Sequence, residues 1–327
     1  MHILVTGCAG FIGYHLVVKL ISAKHNVIGI DNLNNYYDIE LKKNRVKLLK
    51  KYKNFQFKQY DLEKINLINK LIKNNNIKYI IHLAAQAGVR NSVKNPKLYF
   101  KSNIEGFFNI LELSRINNIK HLIFASTSSV YGYNKSLPFK ENFKTDSPLS
   151  FYAATKKSNE VMAHAYSNIY NIPCTAIRFF TVYGPFGRPD MALFKFTENI
   201  LKNKPIDLYN NGKHTRDFTY IDDVVQGLLL ILANPPKNKI PFNIYNIGNG
   251  KPQSLIKYLK FIEKFLDKKA QINNLPLQKG DVEKTHADLK LIKRTLKFNP
   301  KITSEPINLE IILICLRLHL TIFLSIR

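Results

Sequence analysis

Thr6-Gly7-Cys8-Ala9-Gly10-Phe11-Ile12-Gly13 follows the apolar run Ile3-Leu4-Val5 and leads into Tyr14-His15-Leu16-Val17-Val18. Three glycines spaced three apart, between a β-branched run and a helical pattern, predict a strand, a tight turn and a helix. Glycine lets the backbone approach an anion closely. The following helix offers unpaired N–H groups and the positive end of its dipole. A dinucleotide pyrophosphate suits this arrangement, so Gly7, Gly10, Phe11, Ile12 and Gly13 are candidate cofactor-binding residues.

Outward from this stretch, short apolar runs alternate with longer helical patterns as far as about Phe180. The runs are Val27-Ile28-Gly29-Ile30, Phe55-Gln56-Phe57, Tyr79-Ile80-Ile81-His82-Leu83, His121-Leu122-Ile123-Phe124 and Cys174-Thr175-Ala176-Ile177-Arg178. Strands that are apolar on both faces are expected where helices cover both sides of a parallel sheet. The fold class is therefore α/β, a doubly wound parallel (Rossmann) sheet, with a smaller mixed C-terminal region. Asp31 ends the second run at the distance from the glycines expected of an acid that accepts bonds from the adenosine ribose. It would repel a 2′-phosphate, which favours NAD over NADP; loop capping is the alternative role. Asp61, Leu62, Leu83, Ala84 and Ala85 end the third and fourth runs at the same sheet edge. Residues 1–180 are read as the NAD-binding domain, with part of 217–247 returning to it. Beyond Thr181 the alternation weakens, although Ile221 to Leu232 and Ser254 to Leu266 keep helical spacing.

The formal charge is +26, from 49 Lys+Arg against 23 Asp+Glu in 327 residues. The lysines are scattered, and no single basic helix or arm stands out, so the excess reads as residue usage and no nucleic-acid partner is expected. Cys8, Cys174 and Cys315 have neither metal-ligand spacing nor a disulfide pattern, which argues for a reducing compartment and no metal. The opening residues lack the layout of a secretory signal, and a cytoplasmic protein is expected. Leu309 to Ile326 is almost wholly aliphatic and approaches the ~20 residues that span a bilayer, interrupted by Arg317 and His319.

Two further clusters carry chemistry. Ser126-Thr127-Ser128-Ser129 puts four hydroxyls at the end of the fifth run. Tyr152 and Lys156 stand four residues apart, on one face of a helix. A free phenol titrates near ~10 and is a poor base at neutral pH unless positive charge stabilises its anion. Lys156 and an oxidised nicotinamide are expected to supply that charge; a solvated surface pair is the alternative.

Together, Gly7/Gly10/Gly13, Asp31, Thr127, Tyr152 and Lys156 resemble the extended short-chain dehydrogenase/reductase family of nucleotide-sugar enzymes. The stretches Ala85 to Arg90, Tyr152 to Lys157, Arg178 to Pro185, Gly187 to Ala192 and Arg216 to Asp223 are similar to those of UDP-glucuronate 4-epimerases, and the similarity runs from Met1 to about Pro300. The resemblance implies NAD as a tightly held cofactor and Thr127, Tyr152 and Lys156 as catalytic residues, Tyr152 and Lys156 also touching NAD. It implies a UDP-uronate substrate bound by residues 181–300 and epimerised at C4 through a 4-keto sugar. Ser128, Ser129 and Thr181, with Arg188, are expected to restrain the sugar carboxylate. Arg216 would bind the diphosphate and Asp281 the ribose. Gln278 replaces an Arg that relatives acting on galactose often carry, a phosphate contact that Arg90 or Lys279 could take over; Arg216 could instead form a surface ion pair with Asp217.

Dehydratases of the family carry an Asp-Glu pair after the catalytic Thr, and decarboxylating relatives carry a Glu near Ser129. Here Ser128-Ser129 offers no acid, which favours epimerisation over both. Another nucleotide-sugar 4-epimerase, a UDP-glucuronate decarboxylase and an inactive scaffold are the alternatives. A homodimer through the helices near Pro96 to Asn117 and Phe151 to Asn171 is also implied. The similarity stops where residues 301–327 become an atypical apolar tail, read as a shifted or truncated reading frame, a membrane-associating segment or a buried helix.

Overall fold

A computed structural model describes residues 1–278 and 280–302; Lys279 and the apolar tail from residue 303 onward lie outside the described residues. Six strands come first: β1 (His2–Thr6), β2 (Asn26–Ile30), β3 (Phe55–Lys58), β4 (Tyr79–His82), β5 (His121–Thr127) and β6 (Cys174–Phe179). The short strands β7 (Thr181–Tyr183), β8 (Ile206–Tyr209), β9 (Thr215–Arg216) and β10 (Phe218–Tyr220) follow. Then come β11 (Phe242–Ile247), β12 (Gln253–Ser254) and β13 (Ile272–Leu275). Seven strands form one parallel sheet in the order β11-β6-β5-β4-β1-β2-β3. The order reverses between β1 and β4, and in sheets of this kind ligands bind in the crevice beyond the strand ends at such a switch point.

The apolar runs divide residue by residue between the two faces. Ile3, Val5, Ile81, Ile123 and Ile177 pack on one side with helices Phe11–Ser22 and Ile221–Ala233. Leu4, Ile80, Leu122, Phe124 and Ala176 pack on the other with helices Ile65–Asn74 and Gly106–Ile116. Successive side chains of a strand point to opposite faces, so a run buried on both must be apolar throughout. Cys8 and Cys174 are buried free thiols with pKa values raised by burial, that of Cys174 to about 12. They serve as packing groups.

The smaller strands pair outside this sheet: β10 with β7, β12 with β9 and β13 with β8. Asp217 ties them to the sheet. Its buried carboxylate accepts N–H bonds from Asn249 (2.7 Å), Gly250 (3.0 Å) and Ala287 (3.0 Å), and its carbonyl accepts from Thr181 N–H (3.1 Å). This sets aside the expected alternative of an Arg216–Asp217 ion pair: three backbone donors hold the carboxylate on the far side.

Candidate active site

One continuous cavity of about 1230 Å³ runs along the carboxyl ends of the strands. Its wall holds every candidate site residue named from the sequence, from Gly7 at one end to Asp281 at the other.

The glycine turn forms the floor of one end. Gly7 has φ +72°, and a Cβ there would lie 2.7 Å from the Ala84 nitrogen, so any other residue would push β1 away from the segment after β4. At Gly13 a Cβ would lie 2.1 Å from the Gly7 carbonyl oxygen, which keeps the helix close against the turn. That helix begins after Gly10 with no side-chain cap, leaving its first N–H groups for an anion. Asp31 lies where β2 ends. One carboxylate oxygen accepts Ala9 N–H (3.1 Å) and the other Leu33 N–H (2.9 Å). Burial raises its pKa, against these hydrogen bonds and the charges of Lys42 and Arg45. Asp31 thus caps its loop and faces the cavity, and each oxygen keeps a lone pair for a ribose hydroxyl. Asp61 accepts from Asn32 Nδ2 (2.7 Å) beside it. The uncapped helix start, the close Gly7 turn and this carboxylate together fit an adenine dinucleotide.

The middle of the cavity is built from the end of β5 and the helix Phe151–Tyr170, whose Ser150 cap accepts Ala153 N–H (3.2 Å). Strand alternation separates the four hydroxyls. Ser126 donates to the buried Glu160 (2.6 Å), itself bound by Arg178 through Nε (2.9 Å) and Nη2 (2.8 Å). Thr127 turns toward Tyr152 and hydrogen-bonds it. Thr127 Oγ1 also accepts Ser129 N–H (3.2 Å), starting the turn Ser128–Tyr131 that puts both serines on the wall. Burial raises the Tyr152 pKa, while the Thr127 hydrogen bond and the charge of Arg188 lower it.

Lys156 departs from the expectation. Its ammonium is buried and donates to the Ala125 carbonyl (2.9 Å), and burial takes its pKa down to about 7. The protein cation bearing on the phenol is Arg188. Burial opposes the charge of Arg188, but Asp190, Tyr36 and Tyr152 outweigh it and raise its pKa. Arg188 is bound at both ends of its fork by Asp190 (3.0 and 2.5 Å), so it does not stand ready with a free charge. Thr181, the first residue of β7, completes this part of the wall.

At the far end, Arg216 donates to Asp281 (3.1 Å), and Arg90 approaches the same carboxylate (3.9 Å) while lying over the Tyr209 ring (4.5 Å). His214 lies 3.6 Å from that carboxylate. Burial and the Arg216 charge lower its pKa, and Asp281 opposes them. Two arginines in one wall suit a diphosphate. Arg90 stands where the Gln278 departure left a contact open; Lys279 lies outside the described residues. Among the described residues no group of three or more His, Cys, Asp or Glu side chains could hold a metal ion.

The profile of the NAD dependent epimerase/dehydratase family matches residues 3–248. The chain belongs to this family. Protein CapI of Staphylococcus aureus is 49% identical over 319 residues, covering 93% of this chain and 95% of that protein. The probable UDP-glucuronate 4-epimerase of Rhizobium meliloti (strain 1021) is 43% identical over 320 residues, covering 93% and 94%. Among solved structures, UDP-glucuronic acid 4-epimerase from Bacillus cereus, in complex with UDP-glucuronic acid and NAD, superposes with a TM-score of 0.90 at 36% identity. That match covers 97% of this chain and 100% of the other.

Some wall residues of this epimerase/dehydratase-family cavity escape the sequence reading. Tyr36 donates to Asp190 (3.4 Å) across the cavity mouth, and Tyr209 and His214 join the arginine cluster. All three sit in irregular or very short segments, where no periodicity assigns a face. Gln86 was legible in principle, within the quoted Ala85 to Arg90 stretch. Its backbone exchanges bonds with Asn103 (2.8 and 3.0 Å), whose amide also donates to Thr155 (3.1 Å) on the Tyr152 helix.

Proposed function

We propose that this chain is an NAD-dependent UDP-glucuronate 4-epimerase, interconverting UDP-glucuronate and UDP-galacturonate through a 4-keto sugar. The observation that carries the reading is the single cavity joining the glycine turn, the Thr127–Tyr152 pair and the Arg90–Arg216 cluster. The relatives and the structural neighbour named above support it.

NAD, when bound, accepts the C4 hydride and later returns it to the opposite face of the sugar. The chain's own residues do the rest. Tyr152 takes the proton of the 4-hydroxyl as the C4–H bond breaks and gives it back when the carbonyl is reduced, with Thr127 fixing the phenol. Arg216 and Arg90 hold the diphosphate, so the keto sugar can turn about its anchored end without leaving.

A 4-keto group lies β to the sugar carboxylate, and such acids lose carbon dioxide when the breaking bond aligns with the carbonyl π system. Ser128, Ser129 and Thr181 hold the carboxylate out of that alignment. Glu160, the carboxylate next to Ser126, is bound by Arg178 beneath the wall and offers no acid to a substrate. Elimination and decarboxylation lack a carboxyl catalyst there.

The protein acts as a homodimer through helices Gly106–Ile116 and Phe151–Tyr170, on which Phe108, Ile116, Val161 and Ile169 are 46%, 46%, 56% and 66% exposed. Sedimentation equilibrium checks this, and a monomer at micromolar concentration refutes it. No helix of the described residues is long and apolar enough to cross a membrane.

The reading is tested by a proton NMR time course of the purified protein with UDP-glucuronate and no added NAD. UDP-galacturonate should appear until the two sugars equilibrate. A UDP-pentose product, or no product from protein shown to carry NAD, overturns it.

A further inference from the structure

Arg45, on the helix Ile39–Leu49, has 0% of its surface exposed and no carboxylate among its hydrogen-bond partners. Removing a guanidinium from water costs several kcal/mol when no anion accompanies it, so packing alone does not account for it. Its bonds run in two directions. Nη1 donates to the Ala9 carbonyl in the glycine turn (2.8 Å) and to the Tyr37 hydroxyl (2.8 Å). Nη2 donates to the Phe186 carbonyl (2.5 Å) and more weakly to that of Gly187 (3.4 Å). One rigid fork thus bridges the dinucleotide turn and the segment that carries Arg188.

The rest of that segment leans on the same side. His15, on the helix that starts at the glycine turn, hydrogen-bonds the Pro185 carbonyl (2.8 Å), and Tyr14 packs on the Phe186 ring with centroids 5.3 Å apart. Phe186 itself has φ +53°, a conformation that costs a non-glycine residue about 1–2 kcal/mol. The residue in this conformation is the one whose carbonyl Arg45 grips. Two residues on, Arg188 acts on Tyr152.

We propose that Arg45 is a positioning residue that fastens the Gly184–Met191 segment to the glycine-rich turn, so that dinucleotide at the turn fixes where Arg188 stands beside Tyr152. The sugar end of the cavity is then assembled on the cofactor end. This rests on the reading that the glycine turn holds NAD. A lysine keeps the charge but has no planar fork and cannot span both sets of carbonyls.

The test is amide hydrogen exchange on the full chain, with and without NAD, read at Phe186, Gly187, Arg188, Asp190 and Met191. NAD content is measured separately from nucleotide released on denaturation. In the unsubstituted chain NAD should slow exchange at these amides at least tenfold. In R45K and R45Q, each brought to full NAD occupancy, the slowing should fall below twofold while exchange in the helix Ile221–Ala233 stays as in the parent. Two variants are made so that a folding failure in one leaves the other informative. A variant that folds, carries NAD and still shows the tenfold slowing overturns the role of Arg45. An unsubstituted chain that takes up no NAD overturns the cofactor reading and this inference with it.

Discussion

Replacing Lys156 with methionine should make the nucleotide-free protein more stable at neutral pH, and the gain should vanish as pH rises. Burial takes the Lys156 pKa from an ordinary 10.5 to about 7, with no carboxylate in contact. The folded chain therefore gives up this proton near pH 7 while the unfolded chain holds it to about 10.5. Between those values the unfolded state binds more protons, so the stability contributed by this group rises with pH. At about 1.36 kcal/mol per pKa unit, the charged form costs the fold roughly 5 kcal/mol at pH 7 and below. Methionine removes that cost but leaves the Ala125 carbonyl without its donor, a loss of about 1–3 kcal/mol. The net gain is about 2–3 kcal/mol near pH 6.5. It should shrink above pH 7 and reverse near pH 10, where the parent lysine is neutral in both states and still donates.

Urea unfolding of both proteins at pH 6.5, 8 and 9.5 measures this, since the difference between the curves cancels every other titrating group. A pH-independent difference, or a parent more stable than the variant at pH 6.5, would refute a lysine charged at the expense of the fold. The variant should also be inactive, which makes Lys156 a case of stability given up for function.

Tyr152→Phe removes the group that exchanges the 4-hydroxyl proton, so kcat should fall at least about 10³-fold while UDP affinity by calorimetry stays within about threefold. Asp217→Asn puts an amide NH₂ against at least one of the three N–H donors that the carboxylate now accepts. It should lower unfolding free energy by about 3 kcal/mol, and a change below about 1 kcal/mol would show that the junction does not depend on the charge. Thr181→Val keeps the β-branched shape but removes one hydroxyl from the carboxylate's surroundings; NMR of the reaction mixture should then show a decarboxylated UDP-sugar beside the epimer. An unaltered product ratio would place the restraint elsewhere.

The sheet was legible because its signal is local: a strand buried on both faces must be apolar at every position, as Ile80-Ile81 and Leu122-Ile123-Phe124 are. The glycine turn was legible for a related reason, since contacts as tight as Gly13 against Gly7 exclude every other residue from a fixed place in the sequence. What the sequence hid is long-range. Arg45 meets Phe186 across 141 positions, and Asp217 meets Ala287 across 70. No spacing rule connects such pairs, and each side chain alone reads as one more surface charge. The hydroxyl row is intermediate. Strand alternation required Ser126 and Thr127 to face opposite ways, so only one could meet Tyr152; that Ser126 meets Glu160 and Arg178 depends on a neighbouring strand and helix.

Lys156 shows the limit of helical spacing as evidence for chemistry. Four residues do place it on the Tyr152 face, but a shared face does not set the direction of a flexible four-carbon stem. The Ala125 carbonyl captures its ammonium at the strand end. The cation acting on the phenol comes instead from Arg188, on a segment that Arg45 and His15 join to the cofactor turn. In this fold the electrostatics of the proposed base thus depend on a loop far from it in sequence, and dinucleotide and sugar ends belong to one mechanical unit.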